Sequence, residues 1–310
     1  MGKLIEMYKE FGPGLVFAKL ISKFNYDLYI SYIKNTLEKD IIKDVGFSYV
    51  EDDANLIKVK EDNFKIFVFW WQGEDYLPEI VKLCIDSIKK NSYPFAVHLI
   101  TKYNYEEYVE IDSVIKEKLL QGRMTLTHFS DILRFYLLYQ YGGAWLDATI
   151  FLSSSIGTHK EFYTSSLFTQ KFTHDKLRTS KNPSYGRWAG FCMSTNLIHH
   201  PLFSFGKKFF NFYWNKHNIL IDYFLIDYVI LLGYELIPVC KNEIDNIPLN
   251  NNNIFKLMDN ITKPKQEILY EYKKWKAMEN QTWIFKMSYK RPLPQDIQDI
   301  INSISNDEFY

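Results

Sequence analysis

Cysteine is scarce in this sequence, which has only Cys84, Cys192 and Cys240 among its 310 residues. The three are far apart in the chain and lie among apolar residues, and none belongs to a C-x-x-C or Cys/His spacing that binds zinc. These features argue against a disulfide framework and a cysteine zinc site. We interpret the three side chains as free thiols in the core of a protein from a reducing compartment, the cytoplasm.

Excess charge is also absent, because 37 basic side chains balance 37 acidic ones. A protein whose main partner is nucleic acid usually carries a basic excess that attracts phosphate groups. The balance therefore predicts no nucleic-acid partner.

The sequence lacks a long uninterrupted apolar run as well. The most apolar long stretch, residues 223–239, contains Asp227 and Glu235, and the first residues show no apolar segment followed by a small-residue cleavage site. We therefore expect neither a membrane span nor secretion. The predicted location is the cytoplasm, where contact with the inner face of the cell membrane stays open.

Residues 1–60 are predicted to form a helical N-terminal extension. Apolar and charged residues follow helical spacing there, and Gly12-Pro13-Gly14 predicts a break between two helices. One interpretation places these helices on a membrane surface, because apolar residues are flanked by Lys3, Lys9, Lys19 and Lys23. The alternative is that the apolar stripe packs on the main domain, as in any amphipathic surface helix.

Residues 61–310 are predicted to form the main domain, of the α/β class. The apolar run at residues 65–71 has the length of a strand buried on both faces, residues 78–91 show helical spacing, and residues 95–101 suit a second strand. Together they predict a βαβ unit with a right-handed parallel crossover. The sequence has neither G-x-G-x-x-G nor G-x-x-x-x-G-K-[ST], so the dinucleotide and P-loop versions of such a domain are not predicted.

The same patterns predict the remaining elements. They are helices over residues 113–120, 127–141, 203–217 and 222–232, strands over residues 144–151 and 188–194, and a short edge strand within residues 283–290.

The helix over residues 127–141 is apolar on nearly every side, yet it carries Asp131 and Arg134. Side chains three residues apart share one helix face, and ionised groups are rarely buried unless they are paired or bind a ligand. The two charges therefore form a self-contained ion pair or contact a ligand.

Gly142-Gly143 separates this helix from the predicted strand over residues 144–151. Because side chains alternate along a strand, Trp145, Asp147 and Thr149 are predicted to share one face. A lone carboxylate in a buried strand of an α/β sheet is expected near its carboxyl end, where ligands bind. The alternative is an Asp that caps a neighbouring loop.

Taken in order, these motifs resemble those of the capsular polysaccharide synthesis glycosyltransferases. The similar segments are Ser130-Asp131-Ile132-Leu133-Arg134, Tyr141-Gly142-Gly143 and Trp145-Leu146-Asp147-Ala148-Thr149, with further likeness at residues 70–73, 222–228 and 285–290. The family belongs to a larger group with an S-D-x-x-R…Y-G-G-x-x-x-D-x-D pattern, and the resemblance spans residues 65–290.

The resemblance implies a nucleotide-diphospho-sugar transferase (GT-A) fold, with a Rossmann-like, mostly parallel sheet and a UDP-sugar donor at the strand ends. In similar enzymes an aromatic residue after the first strand stacks on the base, which corresponds here to Trp71 or Trp70, beside Gln72. Asp131 and Arg134 would hold the hydroxyls and ring or phosphate oxygens of the donor sugar. Asp147, beside Trp145, would contact ribose, sugar or metal.

The sequence departs from the family pattern at Thr149, which replaces the second carboxylate of the D-x-D motif. Mg²⁺ or Mn²⁺ prefers carboxylate and phosphate oxygens, so its binding is in doubt. Metal could still bind through Asp147 and the diphosphate, with Thr149 a minor ligand. Alternatively Lys286, Lys290 and Arg291 would neutralise the diphosphate, because they lie in the C-terminal stretch that closes over the phosphates in similar enzymes.

The resembling families retain the anomeric configuration of the sugar. No residue identifies itself as a nucleophile, so we favour a front-face displacement driven by positioning and by stabilisation of the leaving diphosphate. Asp222 and Asp227, at the start of the helix predicted over residues 222–232, are candidates for the acceptor cleft and, with His217, for a metal site elsewhere. The alternative for Asp222 is a carboxylate that stabilises the helix N-terminus.

The predicted function is the transfer of a hexose, galactose or glucose, from a UDP-sugar to a saccharide acceptor, free or lipid-linked, in capsule or surface polysaccharide synthesis. Two alternatives remain, a non-catalytic sugar-nucleotide-binding protein of the same fold and an effector that glycosylates a protein. The sequence does not predict the oligomeric state.

Overall fold

The computed structural model describes residues 2–39, 56–172, 181–278 and 281–306. The strands are β1 (Ile57–Lys58), β2 (Lys65–Phe69), β3 (Ala96–Ile100), β4 (Gly143–Leu146), β5 (Ile150–Leu152), β6 (Phe168–Thr169), β7 (Cys192–Thr195), β8 (Leu197–Ile198) and β9 (Ile284–Lys286). The first helices are α1 (Gly2–Phe11), α2 (Pro13–Ile21), α3 (Tyr26–Leu37), α4 (Glu79–Asn91), α5 (Tyr105–Tyr108), α6 (Ser113–Leu120) and α7 (Leu126–Tyr141). They are followed by α8 (Lys160–Thr164), α9 (Pro201–Lys216), α10 (Leu225–Leu236), α11 (Pro238–Asn246), α12 (Lys256–Asp259), α13 (Lys265–Ala277) and α14 (Ile297–Ser305).

A mixed sheet with the strand order β3-β2-β4-β7-β6 forms the centre of the fold. Strand β2 runs parallel to both β3 and β4, whereas β7 is antiparallel to β4 and β6 is antiparallel to β7. The α4 crossover between β2 and β3 confirms the predicted βαβ unit. The parallel strands place the carboxyl ends of β2 and β4 at the same edge of the sheet, the edge where α/β proteins bind ligands.

Both faces of the sheet are buried, as the continuous apolar run of β2 requires. Phe67 and Phe69 face one core together with α7, α9 and α10, while Ile66 and Val68 face a second core together with α4, α13 and α14. The alternation follows from the two-residue period of a strand. The sheet therefore lies between two helical layers.

Two glycines turn the chain from α7 into β4. Gly142 and Gly143 have φ of 62° and 81°, values that disfavour residues with a Cβ. A Cβ on Gly143 would lie 2.3 Å from the carbonyl oxygen of Lys65. The predicted Gly-Gly turn is confirmed, and it brings β4 directly against β2.

The strand predicted over residues 144–151 is wrong in its length. Strand β4 ends at Leu146, and the chain turns there because the amide of Ile150 donates to the carbonyl of Asp147 at 2.9 Å. Strand β5 then pairs with β9 in a separate antiparallel ribbon, which confirms the predicted C-terminal edge strand. Asp147 and Thr149 therefore lie in a turn between two sheets and do not share a strand face with Trp145.

Two other predicted boundaries are also wrong. The strand predicted over residues 188–194 begins only at Cys192, because the Cys192 amide closes a turn onto the carbonyl of Ala189 at 3.1 Å. The helix predicted from Asp222 begins at Leu225, because Asp222 uses its side chain to accept a hydrogen bond from the Phe224 amide at 2.8 Å. The helices predicted over residues 78–91, 113–120, 127–141 and 203–217 agree with α4, α6, α7 and α9 within about two residues.

The N-terminal segment contains α1, α2 and α3, with a helix break at Gly12 as predicted. Met7, Leu15, Ile30 and Ile33 are buried in the same core as α7, α9 and α10. One side of the segment therefore packs on the main body, while other apolar side chains of α1 and α2 stay exposed. Strand β1, within the range predicted as helical extension, pairs with β8. Within the described part of the chain, no helix is long and apolar enough to cross a bilayer.

Candidate active site

Two adjoining cavities lie at the carboxyl ends of β2 and β4. The tryptophan cavity, of about 380 Å³, is lined by Trp70, Trp71 and Trp145 among other residues. The carboxylate cavity, of about 300 Å³, is lined by Asp131, Arg134 and Asp227 among other residues. Both volumes lie near the lower end of the range for small-molecule sites, roughly 300–1,000 Å³. The two cavities share the wall residues Thr127, Asp147, Tyr223 and Lys286.

Helix α7 brings Asp131 and Arg134 to the carboxylate cavity. The Thr125 hydroxyl caps the helix by accepting from the His128 amide at 3.2 Å, and the apolar residues of α7 bury both charged side chains. Arg134 is 3 % exposed. Its Nη2 lies 3.4 Å from Asp131 and donates to Asp147 Oδ1 at 3.1 Å. The helix pair is therefore not self-contained, since its guanidinium also reaches the carboxylate at the end of β4.

The close approach of Gly190 completes the pocket around Arg134. A Cβ on Gly190 would lie 2.8 Å from Arg134 Nη1 and 2.9 Å from Ile226 Cδ1. On its other side, Arg134 Cζ lies 4.9 Å from the centroid of the Trp145 ring. The guanidinium is held between an indole and a backbone segment that tolerates no side chain without movement.

Asp147 and Lys286 form the junction between the cavities. Lys286 Nζ donates to Asp147 Oδ2 at 2.6 Å and to Thr149 Oγ1 at 2.8 Å, while Trp145 Nε1 donates to Asp147 Oδ1 at 2.9 Å. Burial alone would raise the pKa of Asp147, but the charges of Lys286 and Arg134 and the hydrogen bonds from Lys286 and Trp145 together lower it below its ordinary value. Asp147 is therefore an ionised carboxylate with a cation on each side.

The surroundings of Asp147 do not suit a divalent metal ion. Each carboxylate oxygen already accepts from a nitrogen donor, and Lys286 bridges Asp147 and Thr149, the two positions of the D-x-D pattern. An ion there would have to displace the ammonium and sit beside two positive charges, with a neutral hydroxyl in place of a second carboxylate ligand. Among the described residues, one group of three side chains could hold a metal ion: His200, Cys240 and Glu243. None of the three lines either cavity.

The tryptophan cavity combines aromatic faces with cations. Trp70 is held by a hydrogen bond from its Nε1 to the carbonyl of Tyr76 at 3.2 Å and by an edge contact with Tyr289. Trp71 is half-buried against Tyr105 and Phe129. The rest of the wall includes the predicted residues Gln72 and Lys290. Trp145 is 1 % exposed, so it contributes to the wall mainly by orienting Asp147.

Asp227 lies in the carboxylate cavity, where it is almost completely buried. Its Oδ1 accepts from Trp188 Nε1 at 3.1 Å and its Oδ2 accepts from Asn182 Nδ2 at 3.0 Å. Burial, with a smaller contribution from the charge of Asp131, raises the pKa of Asp227 to about 7. Because both oxygens already accept hydrogen bonds, a protonated Asp227 can donate its proton only to another group, and Asp227 lines the cavity where a ligand could accept it.

Three predicted candidates lie outside the two cavities. Asp222 accepts from the Tyr29 hydroxyl at 2.7 Å and so ties α3 to the segment before α10. Arg291 donates to Asp259 at 3.1 Å, and His217 Nδ1 lies 3.3 Å from Glu10. Asp222, Asp227 and His217 therefore do not converge on one metal site among the described residues.

His128 is a site residue that the sequence analysis missed. Its Nε2 accepts from Trp214 Nε1 at 3.1 Å, and because an indole nitrogen can only donate, the neutral ring must carry its proton on Nδ1. That nitrogen lies 3.8 Å from Asp131 Oδ2. His128 Nδ1 is therefore near the carboxylate that Arg134 contacts, but it makes no hydrogen bond within the described part of the chain. Its position on α7, one turn before Asp131, was the sequence feature that could have indicated its place beside the site.

Other residues of the cavities were also missed. Trp188 and Asn182 hold Asp227, Tyr223 lies between the cavities, and Phe191 packs against Lys286 with its ring centroid 4.9 Å from Nζ. Trp188 and Phe191 were assigned to a strand interior because of their apolar character. The turn that places them on the cavity wall could not be predicted from the local sequence pattern.

A comparison with protein families matches residues 16–305 to the family described as Capsular polysaccharide synthesis protein. No curated protein matches the chain. The family match covers nearly the entire chain, and it includes α7, the Gly-Gly turn, β4 and the C-terminal strand that carries Lys286. This chain therefore belongs to the capsular polysaccharide synthesis protein family.

Proposed function

We propose that the protein is a retaining glycosyltransferase that moves a hexose, galactose or glucose, from a UDP-sugar to a saccharide acceptor in capsule or surface polysaccharide synthesis. The family match supports a role in capsule biosynthesis. The proposal includes a GT-A type of nucleotide-sugar domain, which the parallel β3-β2-β4 core and the position of the cavities support. The observation that carries the proposal is the junction at Asp147 and Lys286, which joins an aromatic cavity to a charged one.

The donor would lie across this junction. A pyrimidine base presents a π-face, and Trp71 or Trp70 offers an indole on which it can stack. Placing the base in the tryptophan cavity brings the diphosphate to Lys286 and Lys290, which line the same wall. The hexose then enters the carboxylate cavity, where Asp131 can accept from sugar hydroxyls and Arg134 can donate to ring or phosphate oxygens.

The reaction would take place at the junction. The acceptor hydroxyl attacks the anomeric carbon from the face of the departing diphosphate, the bond from that carbon to the phosphate oxygen breaks, and the phosphate oxygen takes the hydroxyl proton. Lys286 stabilises the negative charge on the leaving diphosphate, because its ammonium is already held in place by Asp147 and Thr149. A fixed charge of this kind loses no energy to reorganisation during the reaction.

Asp227 is proposed to bind the acceptor. It lies in the carboxylate cavity with Trp188 and Tyr223, so the acceptor sugar would meet a carboxyl group and aromatic faces together. Because its pKa is near 7, Asp227 can donate to or accept from an acceptor hydroxyl according to pH.

The proposed reaction does not depend on a divalent ion. Lys286 takes the position between the first and third residues of the D-x-D pattern, and it supplies positive charge at the place where the leaving group develops negative charge. In this proposal Thr149 is a hydrogen-bond acceptor for Lys286 and not a metal ligand.

The test is a donor screen followed by turnover. UDP-hexoses that raise the thermal midpoint are incubated with the protein, and UDP release is measured first into water and then with free and lipid-linked oligosaccharides as acceptors. Slow UDP release that an oligosaccharide accelerates supports the proposal. Binding without any UDP release would instead favour a non-catalytic sugar-nucleotide-binding protein, and acceleration only by a protein acceptor would favour a protein-glycosylating effector.

A further inference from the structure

The N-terminal helices carry a dense group of exposed apolar side chains. We call it the N-terminal apolar surface, and its members are Leu4, Ile5, Tyr8, Phe17, Leu20, Phe24 and Leu28. Phe24, in the turn between α2 and α3, is 91 % exposed. Single exposed apolar residues need no explanation, but these lie within 25 consecutive positions on or beside three helices, of which α1 packs on α2 and α2 on α3. Such a concentration is a candidate interaction surface.

The members of this surface follow helical geometry. Leu4, Ile5 and Tyr8 share one face of α1, and Phe17, Leu20 and Phe24 follow at the spacing of neighbouring turns along and just beyond α2. The opposite faces are fixed, because Met7, Leu15 and Ala18 are buried in the core. The helices therefore present apolar side chains outward from a rigid base.

The charges around the surface favour an anionic partner. Lys9, Lys19 and Lys23 lie among the apolar residues, and no acidic partner is found for their ammonium groups within the described part of the chain. Two of the neighbouring acids point elsewhere: Glu10 accepts from the Asn218 amide at 2.9 Å, and Asp27 accepts from the Tyr185 hydroxyl at 2.6 Å. Only Glu6 remains as an exposed acid on α1.

We propose that the N-terminal apolar surface docks the protein on an anionic lipid bilayer. Helices α1 and α2 lie in the plane of the membrane, the apolar side chains enter the boundary between head groups and acyl chains, and the lysines contact the lipid phosphates. An amphipathic helix with apolar residues on one side and lysines beside them binds such a surface through buried apolar area and charge together. This inference concerns location and goes beyond the proposed reaction.

Docking would also place the carboxylate cavity in a fixed relation to the bilayer. Helix α3 follows Phe24 and contains Leu28. Two of its side chains contact segments that continue to cavity residues: Tyr29 donates to Asp222, on the segment before Asp227, and Asp27 accepts from Tyr185, on the segment that carries Asn182. The segment that holds Asp227 is thus tied to the docking helices. This geometry suits a saccharide acceptor carried on a membrane lipid, a consequence that rests on the proposed function.

The experiment measures co-sedimentation of the full chain with vesicles. Vesicles of phosphatidylcholine are compared with vesicles that also contain phosphatidylglycerol, in the absence of donor and acceptor. We expect binding to the anionic vesicles that weakens as salt is raised. The variant Leu20→Glu/Phe24→Glu should lose at least ~10-fold in vesicle affinity because two apolar anchors become charged.

Two further variants complete the test. Lys19→Glu/Lys23→Glu should lose at least ~10-fold on anionic vesicles and little on neutral ones, and it keeps the test valid if the apolar variant fails to fold. Leu120→Glu changes an 85 % exposed leucine on α6, outside the surface, and should bind as the unmodified protein does.

Either of two results would overturn the inference. One is failure of the folded, unmodified protein to bind anionic vesicles. The other is a stable dimer in solution that Leu20→Glu/Phe24→Glu dissociates, which would assign the surface to a second copy of the chain. Because vesicle binding is measured without substrates, its result does not depend on whether the protein releases UDP.

Discussion

The two cavities that meet at Asp147 are built in different ways. In the carboxylate cavity the polar side chains hold one another. Asp131, Arg134 and Asp147 form a continuous series of charges, and Trp188 donates to the fourth charged group, Asp227. In the tryptophan cavity, aromatic side chains are held by ring contacts, and Gln72 and Lys290 are exposed. The first arrangement suits recognition of hydroxyl groups in one geometry, and the second suits a flat ring that any aromatic platform accepts.

This contrast implies that substitutions should act differently in the two cavities. Loss of a charge at the junction or in the carboxylate cavity should reduce turnover, because in the proposed reaction the fixed charges act in the transition state. Loss of an aromatic side chain in the tryptophan cavity should weaken nucleotide binding and affect turnover less.

The largest effect is expected for Lys286→Met at the junction. In the proposed reaction Lys286 faces the leaving diphosphate, so its removal should lower kcat by about 10³-fold, as removal of a fixed transition-state donor does. Turnover of UDP-hexose is the measurement. Arg291→Ala, which removes a cation paired with Asp259 outside both cavities, should retain activity within about threefold. Equal activity of Lys286→Met and the unmodified protein would contradict the role of Lys286.

A loss of at least ~100-fold in kcat/KM is expected for Asp131→Asn, because a charge-assisted contact to the donor sugar is lost. Asp222→Asn is the matched control, since Asp222 is buried but lines neither cavity. Both variants should keep the thermal midpoint within a few degrees.

His128 provides a finer version of the same experiment. His128→Asn can place an amide N–H near the position of Nδ1 and should retain more activity than His128→Leu. Trp214→Phe removes the indole N–H that donates to His128 Nε2 and so keeps the His128 proton on Nδ1. This variant should lower kcat/KM although the His128 ring remains. Identical activity of the Asn and Leu variants would mean that His128 only fills space.

Asp227 should give the protein a pH-dependent stability. Its pKa is near 7 in the folded protein and about 4 when the chain is unfolded, so the folded state binds the extra proton between these values. The free energy of unfolding contributed by this group is therefore largest below pH ~4, and it falls as the pH rises to about 7. In chemical denaturation across this range, Asp227→Asn should lose that slope relative to the unmodified protein. Parallel curves would contradict the raised pKa.

A smaller effect is expected for Trp71→Ala in the tryptophan cavity. If Trp71 stacks on the base, UDP binding should weaken by roughly 1–3 kcal/mol, with kcat changed much less. Calorimetry with UDP measures this, and Trp70→Ala shows which indole provides the platform. Tyr103→Ala removes an exposed aromatic residue outside both cavities and should leave the UDP dissociation constant unchanged. If neither tryptophan variant weakens UDP binding, the base does not stack there.

The smallest effect is expected from removal of metal. Because Lys286 bridges Asp147 and Thr149, activity should survive EDTA within about twofold and gain little from Mn²⁺. Thr149→Asp brings a second carboxylate to Lys286 and should make Mn²⁺ binding measurable by calorimetry. Full loss of activity in EDTA with recovery in Mn²⁺ would show that the ion displaces Lys286.

The sequence was informative where local periodicity determines structure. Apolar spacing predicted the βαβ unit and helix α7, and the conformational freedom of glycine predicted the Gly-Gly turn. Asp131 and Arg134 could be named as site candidates because they are charged residues on a buried helix. The strand predicted through Asp147 was too long, since its end depends on a hydrogen bond from the Asp147 amide to the Phe191 carbonyl and on one within the turn. Trp188 and Asn182 were missed because their partner, Asp227, lies about 40 residues away in sequence.

The ribbon of β5 and β9 has a consequence for how the protein becomes active during synthesis. It brings Lys286 to Asp147 across 139 positions of the chain, a closure that carries a large entropic cost before any contact forms. A nascent chain that has completed the central sheet would still lack Lys286, the cation of the proposed reaction centre. Activity should therefore arise late, when the C-terminal strand has left the ribosome and paired with β5. It would then report the complete fold. A chain truncated before residue 284 should be inactive even where its central sheet has formed.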